Sequence, residues 1–311
     1  MKKVALIFPG QGSQVVGMGL DLFNNSSAAK SVFEKFNEIS GKSISTLCFE
    51  GPDEELKQTI NTQPCLLAVS IAAVEALREK ANIEVSYFAG HSLGEYAALY
   101  SAGVLSLDDA IKLVCKRAEL MSEAKGGAMS AVLNLEESKL AEVLKEASSA
   151  GTVTVANYNT PDQIVITGEI DAVAKANELA SAAGAKRVIP LAVSGAFHSP
   201  LMRSAADKFE QFVSEFTFND AKVPVITNCD AKETTIASEF ASKLPEQIYS
   251  SVYWTQTVQY LVEQGVDTFI EVGSGKVLSG MVKKISREAN VLNISDIQTL
   301  EKVLELELVK A

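Results

Sequence analysis

The sequence predicts an α/β protein built on a mainly parallel sheet, with a second, smaller unit inserted into it. Three observations carry this reading. Short apolar runs of strand length alternate along most of the chain with stretches of helical periodicity, the pattern of a sheet whose crossovers are helices. The stretch 127–192 departs from that rhythm and reads strand, helix, strand, strand, helix, strand, which is the ferredoxin-like order. A Gly-x-Ser-x-Gly motif, Gly90-His91-Ser92-Leu93-Gly94, lies between an apolar run and a small-residue helix, as at the strand-to-helix turn above a parallel sheet.

Taken in order, the strands expected in the main sheet are Val4–Phe8, Tyr87–Ala89, Val223–Thr227, Thr268–Val272 and Val291–Ile294. Helical periodicity covers Ala28–Ile39, Asp53–Ile60, Pro64–Lys80, Leu107–Glu123, Pro200–Phe216, Glu246–Gln264 and Lys276–Arg287. The insert is expected as strand Ala128–Leu133, helix Glu136–Ser149, strands Val153–Asn157 and Gln163–Gly168, helix Ile170–Ala183 and strand Lys186–Leu191. Gly126-Gly127 before it and Ser194-Gly195 after it read as hinges. The expected domains are therefore 1–126 with 193–311, and 127–192.

At 311 residues and 47% hydrophobic content the chain is long enough to bury a substantial core. Its formal charge of −11 argues against nucleic-acid binding and against a basic membrane-facing surface. Four cysteines, widely spaced and without a Cys-x-x-Cys, read as buried apolar groups of a reducing compartment. Two histidines leave little for a metal site, and none is expected. The apolar start of the chain ends at Pro9-Gly10, too early for a signal peptide, and the most apolar helix, Cys65 to Leu77, is broken by Ser70 and Glu75 and is too short to span a bilayer. These features predict a soluble cytoplasmic protein, and the lack of a long apolar heptad or edge predicts a monomer.

The chemistry starts at the elbow. Its glycines permit close backbone approach around a strained turn that lifts the Ser92 hydroxyl above the sheet. The following helix aims its free N–H groups at whatever Ser92 attacks. The plainer alternative is a turn whose serine caps a helix. A serine nucleophile needs a base, and only His91 and His198 exist. His91 adjoins Ser92, where successive side chains diverge, which leaves His198, in a loop where the insert returns to the main unit. No acidic residue between the two stands out as a third triad member, so a backbone carbonyl or an amide is left to orient His198.

Arg117 falls mid-face among Leu113, Val114, Leu120 and Met121 of an amphipathic helix. A buried arginine requires a partner, either an internal acid or the carboxylate of a substrate held in a bidentate clamp. The Gly10-Gln11-Gly12-Ser13-Gln14 turn fails the dinucleotide pattern because position 15 is valine. It reads instead as a tight turn beside the elbow, with a backbone N–H available to an oxyanion. Glu271-Val272-Gly273-Ser274-Gly275-Lys276 reads as another strand-to-helix turn.

Together, Gly10–Gln14, Gly90–Glu95, Arg117 and Ala196–Ser199, with Gln63-Pro64, Asn157-Tyr158-Asn159 and Glu271-Val272-Gly273, resemble the malonyl-CoA:acyl carrier protein transacylases of bacterial fatty-acid synthesis, over nearly the whole length. The resemblance implies an α/β-hydrolase-like large domain with the ferredoxin-like insert. It makes Ser92 the acylated nucleophile and His198 its base, with Gln11 and Leu93 as oxyanion donors and Arg117 on the malonyl carboxylate. Gln63, Asn159 and Phe197 would contact substrate, and the backbone carbonyl of Gln247 would orient His198. No cofactor is implied beyond the coenzyme A thioester consumed as substrate. The implied partners are malonyl-CoA and an acidic acyl carrier protein, for which Lys186 and Arg187 form the candidate docking patch. Three other readings remain open at this point. They are a polyketide-type acyltransferase for branched extenders, a serine esterase or lipase, and an inactive carrier-binding module.

Overall fold

The computed structural model describes residues 3–193 and 195–305; Ser194 of the expected second hinge lies outside the described residues. Two sheets organise the chain. The larger contains β1 (Lys3–Phe8), β2 (Tyr87–Gly90), β7 (Val225–Ile226), β8 (Glu233–Thr234), β9 (Val266–Val272) and β10 (Asn290–Ile294), in the order β10-β9-β1-β2-β7-β8. All neighbours run parallel except β8, which turns back against β7. The alternation of apolar runs and helices thus yields the expected mainly parallel sheet. Residues 4–8 are all buried, as strands covered by helices on both faces must be.

The second sheet comprises β3 (Gly127–Leu133), β4 (Val153–Thr160), β5 (Gln163–Glu169) and β6 (Arg187–Pro190). It is antiparallel in the order β4-β5-β3-β6. Helices Glu137–Ala147 and Ile170–Ala182 complete the six elements read for 127–192. This unit has its own core, in which Val132, Leu140, Val143, Ile164, Ile166 and Val173 meet.

The largest departures from the expected helices are three. The Asp53–Ile60 helix is only Asp53–Leu56, and the next begins at Thr59 and runs to Lys80, carrying Pro64 inside it. At 22 residues this second helix is long and apolar enough to cross a membrane, where the sequence suggested it was too short. However, 83% of its apolar window is buried within the protein, so it serves as the central core helix.

The expected Glu246–Gln264 helix is two helices, Ala237–Tyr249 and Trp254–Glu263. Residues 250–253 leave the helix because the backbone of Val252 is taken by the edge of the small sheet. Val252 N–H donates to Ala156 O at 2.8 Å, and Tyr158 N–H donates to Val252 O at 2.9 Å. Ser251 Oγ donates to Val155 O at 2.6 Å, and the Tyr158 and Tyr253 rings stack at 5.2 Å. A β edge otherwise open to pairing is thereby covered. The same junction seats the small unit on the large one.

Candidate active site

The C-terminal ends of β1 and β2 lie side by side, with Phe8 opposite Gly90, the end of a parallel sheet where ligands bind. At this end the chain turns sharply through Ser92 into helix Gly94–Ser101. Ser92 has φ +50°, a left-handed conformation that costs a non-glycine residue about 1–3 kcal/mol and persists where surrounding contacts enforce it. Both motif glycines are steric necessities. A Cβ on Gly90 would stand 2.0 Å from Gly94 C, and one on Gly94 would stand 2.1 Å from Phe8 O. The turn is pinned further by Asn228, whose Oδ1 accepts from Ser92 N–H at 2.6 Å while its Nδ2 donates to Gly90 O at 2.6 Å.

Ser92 Oγ lies 2.9 Å from His198 Nε2. The tautomer follows from the other ring nitrogen. Nδ1 faces two carbonyl oxygens, Gln247 O at 2.9 Å and Ser250 O at 3.2 Å, and carbonyls only accept. Nδ1 therefore carries the proton, and Nε2 is the free base pointing at the hydroxyl. Both carbonyls belong to the end of helix Ala237–Tyr249 and the extended residues after it, so the helix break creates the site that orients the imidazole. Burial, with the Arg117 charge as the next cause, pulls the His198 pKa down to about 3.

His198 is thus neutral at pH 7. A reaction at Ser92 that draws on this imidazole as base should stay level down to about pH 5, where an imidazole titrating near 6.5 would have cost more than tenfold. The linkage to stability has the matching sign. Between about pH 6.5 and 3 the unfolded chain binds this proton and the folded chain does not, so His198 withdraws stability as pH falls through that window. His198→Ala should slow a reaction that draws on this base about 10²–10⁴-fold, measured as the rate at which Ser92 is modified. His91→Ala should be milder, because His91 Nε2 is held 2.8 Å from Asn159 Oδ1 and its ring packs against Trp254.

Arg117 is 1% exposed and belongs to none of the ion pairs among the described residues. Its Nη1 donates to Gln63 Oε1 at 2.7 Å, and its Nη2 donates to Ser92 Oγ at 3.0 Å and Gln247 Oε1 at 2.9 Å. The guanidinium carbon sits 5.7 Å from the centre of the Tyr96 ring, and Nε has no hydrogen-bond partner. Among the described residues no carboxylate lies within ion-pair distance of Arg117. Its direct partners are neutral side chains, Ser92 among them, and the nearest acid, Glu95, reaches it only through Gln247.

These residues line a cavity of about 110 Å³ with Gln11, Leu93, Met121, Met129, Asn157, Leu191, Val193 and Phe197. Since one water occupies about 30 Å³ in the liquid, the space suits an acyl group of a few heavy atoms. Among the described residues neither Gln11 N–H nor Leu93 N–H donates to another protein group, leaving both available to an oxyanion. Phe197 is pressed against Gly195, where a Cβ would come within 2.5 Å of the ring.

Of the candidates read from the sequence, Ser92, His198, Arg117, Gln63, Gln11, Leu93 and Phe197 converge on this cavity, and Gln247 supports it from behind. Asn159 does not reach it. Its amide is engaged by His91 and by Gln163 Oε1 at 3.2 Å, and Asn157 lines the cavity instead. Register shifts in β4 at Val155/Asn157 and Tyr158/Thr160 turn the two asparagines to different neighbours. Lys186 and Arg187 are exposed at the start of β6, away from Leu191 and Val193 at the mouth. The sequence reading missed Asn228 and the side chain of Glu95, whose importance lies in contacts across more than 130 positions. No cluster of three or more metal-ligating side chains occurs among the described residues.

The family model for the acyl transferase domain matches residues 5–303. The chain belongs to the acyl transferase family. A curated relative, the malonyl CoA-acyl carrier protein transacylase of Bacillus subtilis (strain 168), is 46% identical over 309 residues, 98% of this chain and 97% of its own. Among solved structures, an acyl carrier protein S-malonyltransferase from Vibrio cholerae O1 biovar eltor is 41% identical with a TM-score of 0.94, covering 97% of this chain and 100% of that one. A malonyl-transacylase solved in complex with its type II polyketide acyl-carrier protein is 39% identical with a TM-score of 0.95, covering 98% and 99%. As a member of this family the chain is an acyltransferase, which removes the esterase and inactive-module readings.

Proposed function

We propose that this acyltransferase moves a malonyl group from malonyl-CoA to the phosphopantetheine thiol of an acyl carrier protein, through a malonyl ester on Ser92. The observation that carries this reading is the buried Arg117 guanidinium, with no carboxylate in direct contact, 3.0 Å from Ser92 Oγ. A cation so placed favours an acyl group bearing its own carboxylate, because an unpaired buried charge is costly.

In the first half-reaction His198 Nε2 takes the Ser92 proton as Oγ attacks the thioester carbonyl. Gln11 and Leu93 N–H groups receive the oxyanion. Collapse expels coenzyme A, whose sulfur takes the proton back from Nε2. In the second half the carrier thiol gives its proton to Nε2 and attacks the ester, and Ser92 recovers a proton as it leaves. Phe197, fixed by its contact with Gly195, crowds the position an α-methyl branch would occupy, which favours malonyl over branched extenders. Gln63 and Gln247 hold Arg117 in place for the carboxylate.

The fold we assign with this function is an α/β-hydrolase-like large domain, 1–126 and 193–311, carrying a ferredoxin-like insert at 127–192. The β4-β5-β3-β6 order and the six alternating elements support the insert. A cytoplasmic monomer goes with this reading, and four free cysteines are in keeping with a reducing compartment.

Intact-mass measurement after mixing the protein with malonyl-CoA tests the reading: a stoichiometric malonyl adduct is expected, transferable to carrier protein. Absence of any adduct overturns it. Carrier docking has a separate test. With the chain at −11, an acidic partner needs a local basic patch. Lys186→Glu with Arg187→Glu should raise KM for the carrier several-fold at low salt and leave adduct formation from malonyl-CoA less affected. Unchanged carrier kinetics at low ionic strength would place docking elsewhere.

A further inference from the structure

We propose that Glu95 is the internal counter-charge of Arg117, and that it takes up one proton when the carboxylate of a dicarboxylic thioester pairs with the guanidinium. The proposal rests on the malonyl reading above. Its basis is a single side chain that joins two buried charges. Gln247 Oε1 accepts from Arg117 Nη2 at 2.9 Å, and Gln247 Nε2 donates to Glu95 Oε2 at 2.6 Å. Glu95 and Arg117 are each 1% exposed. Neither touches an opposite charge, yet the amide between them is oriented by both, with its acceptor end toward the cation and its donor end toward the anion. Gln247 Nε2 also donates to Ser92 O at 3.0 Å, so the arrangement is built into the elbow.

Charge balance then dictates the response. A buried cation with one anion nearby is close to neutral. A second carboxylate arriving at Arg117 would leave two anions sharing one cation out of water, which is costly unless a proton enters. Few groups could accept it. The Cys229 thiol and the Tyr96 phenol are pushed up by burial and stay neutral. His91 is lowered by burial, and His198 is lowered with its Nδ1 proton committed to carbonyls. Asp230 is held low by Thr227 and by Lys243, 3.0 Å away. Glu246, on the same helix as Gln247, acts on Cys229 and is not among the groups that act on Glu95. Glu95 remains. Burial has already raised it to about 7, against the opposing pull of Gln247, the Asn228 N–H and Arg117. The proton comes from solvent and settles on the Glu95 carboxylate without breaking a bond of the substrate. It leaves when the acyl group departs. Glu95 meets no reacting atom and acts as a positioning residue through Gln247 and Arg117.

The test compares wild type with Glu95→Gln, which keeps an acceptor for Gln247 and Asn228 but carries no charge. For wild type, kcat/KM for malonyl-CoA should fall about tenfold from pH 6.5 to 9, mostly through KM, since binding then requires a proton. Glu95→Gln should change by less than about threefold over the same range and exceed wild type at pH 9. Parallel profiles, with the variant slower at every pH, would overturn the proposal in favour of a purely structural carboxylate. Should the variant fail to fold, calorimetric titration of the non-reacting Ser92→Ala protein in buffers of different ionisation enthalpy decides. About half a proton should be taken up per malonyl-CoA at pH 7.5, and none with acetyl-CoA. Equal values for the two thioesters would overturn it. A malonyl adduct on wild type with no such proton linkage refutes this proposal alone, whereas no adduct refutes the malonyl reading beneath it.

Discussion

Ser92→Ala should form no malonyl adduct and should lose about 10⁴-fold or more in transacylation, because among the described residues Ser92 Oγ is the hydroxyl that meets His198 Nε2. The fold should survive. The substitution removes one oxygen, and the strained φ of +50° is imposed by backbone contacts that alanine retains, chiefly Ser92 N–H to Asn228 Oδ1. Arg117 Nη2 loses one acceptor but keeps Gln247 Oε1. The check is intact-mass analysis with a thermal melt on the same sample. Normal turnover by a folded variant would remove the covalent mechanism.

Arg117→Ala should lower malonyl transfer about 10²–10⁴-fold, since a carboxylate desolvated in this cavity would lose its charged, hydrogen-bonded partner. Acetyl transfer, however weak, should hold steady or rise, because a neutral acyl tail no longer faces a cation that it cannot meet with a carboxylate. Arg117→Lys should recover little, as a point charge cannot span Gln63 and Gln247 while meeting a carboxylate side-on. The measurement is kcat/KM for both thioesters on each variant. Equal losses for malonyl and acetyl would make Arg117 a scaffold residue.

Much of this site was legible because its signals are local. A strand, two glycines that backbone contact demands, and a helix write the elbow into ten consecutive residues. An arginine on an otherwise apolar helix face announces itself by periodicity. The small unit was legible for the same reason, each element having an uninterrupted pattern. What could not be read were choices made by distant partners. Residues 250–253 continue a helical pattern but are drawn out of it where Val252 pairs with β4, nearly a hundred positions earlier. The register shifts that send Asn159 toward His91 and Asn157 toward the cavity leave no mark on side-chain spacing. Glu95 reads as an ordinary first-turn acid of a helix. Only packing against Asn228 and Gln247 turns it into a buried charge.

The extended bridge at 250–253 has a mechanical consequence. Its Ser250 carbonyl grips the His198 ring, while its Val252 backbone, two residues on, is stitched to the edge of the small sheet. The small sheet and the segment leading out of it also supply one wall of the cavity, through Met129, Asn157, Leu191 and Val193. Wall and imidazole therefore share one fixture. A tilt of the small unit large enough to widen the cavity would tug on the strap that aligns the imidazole, so admitting a bulkier acyl group and keeping the proton acceptor in register are opposed motions.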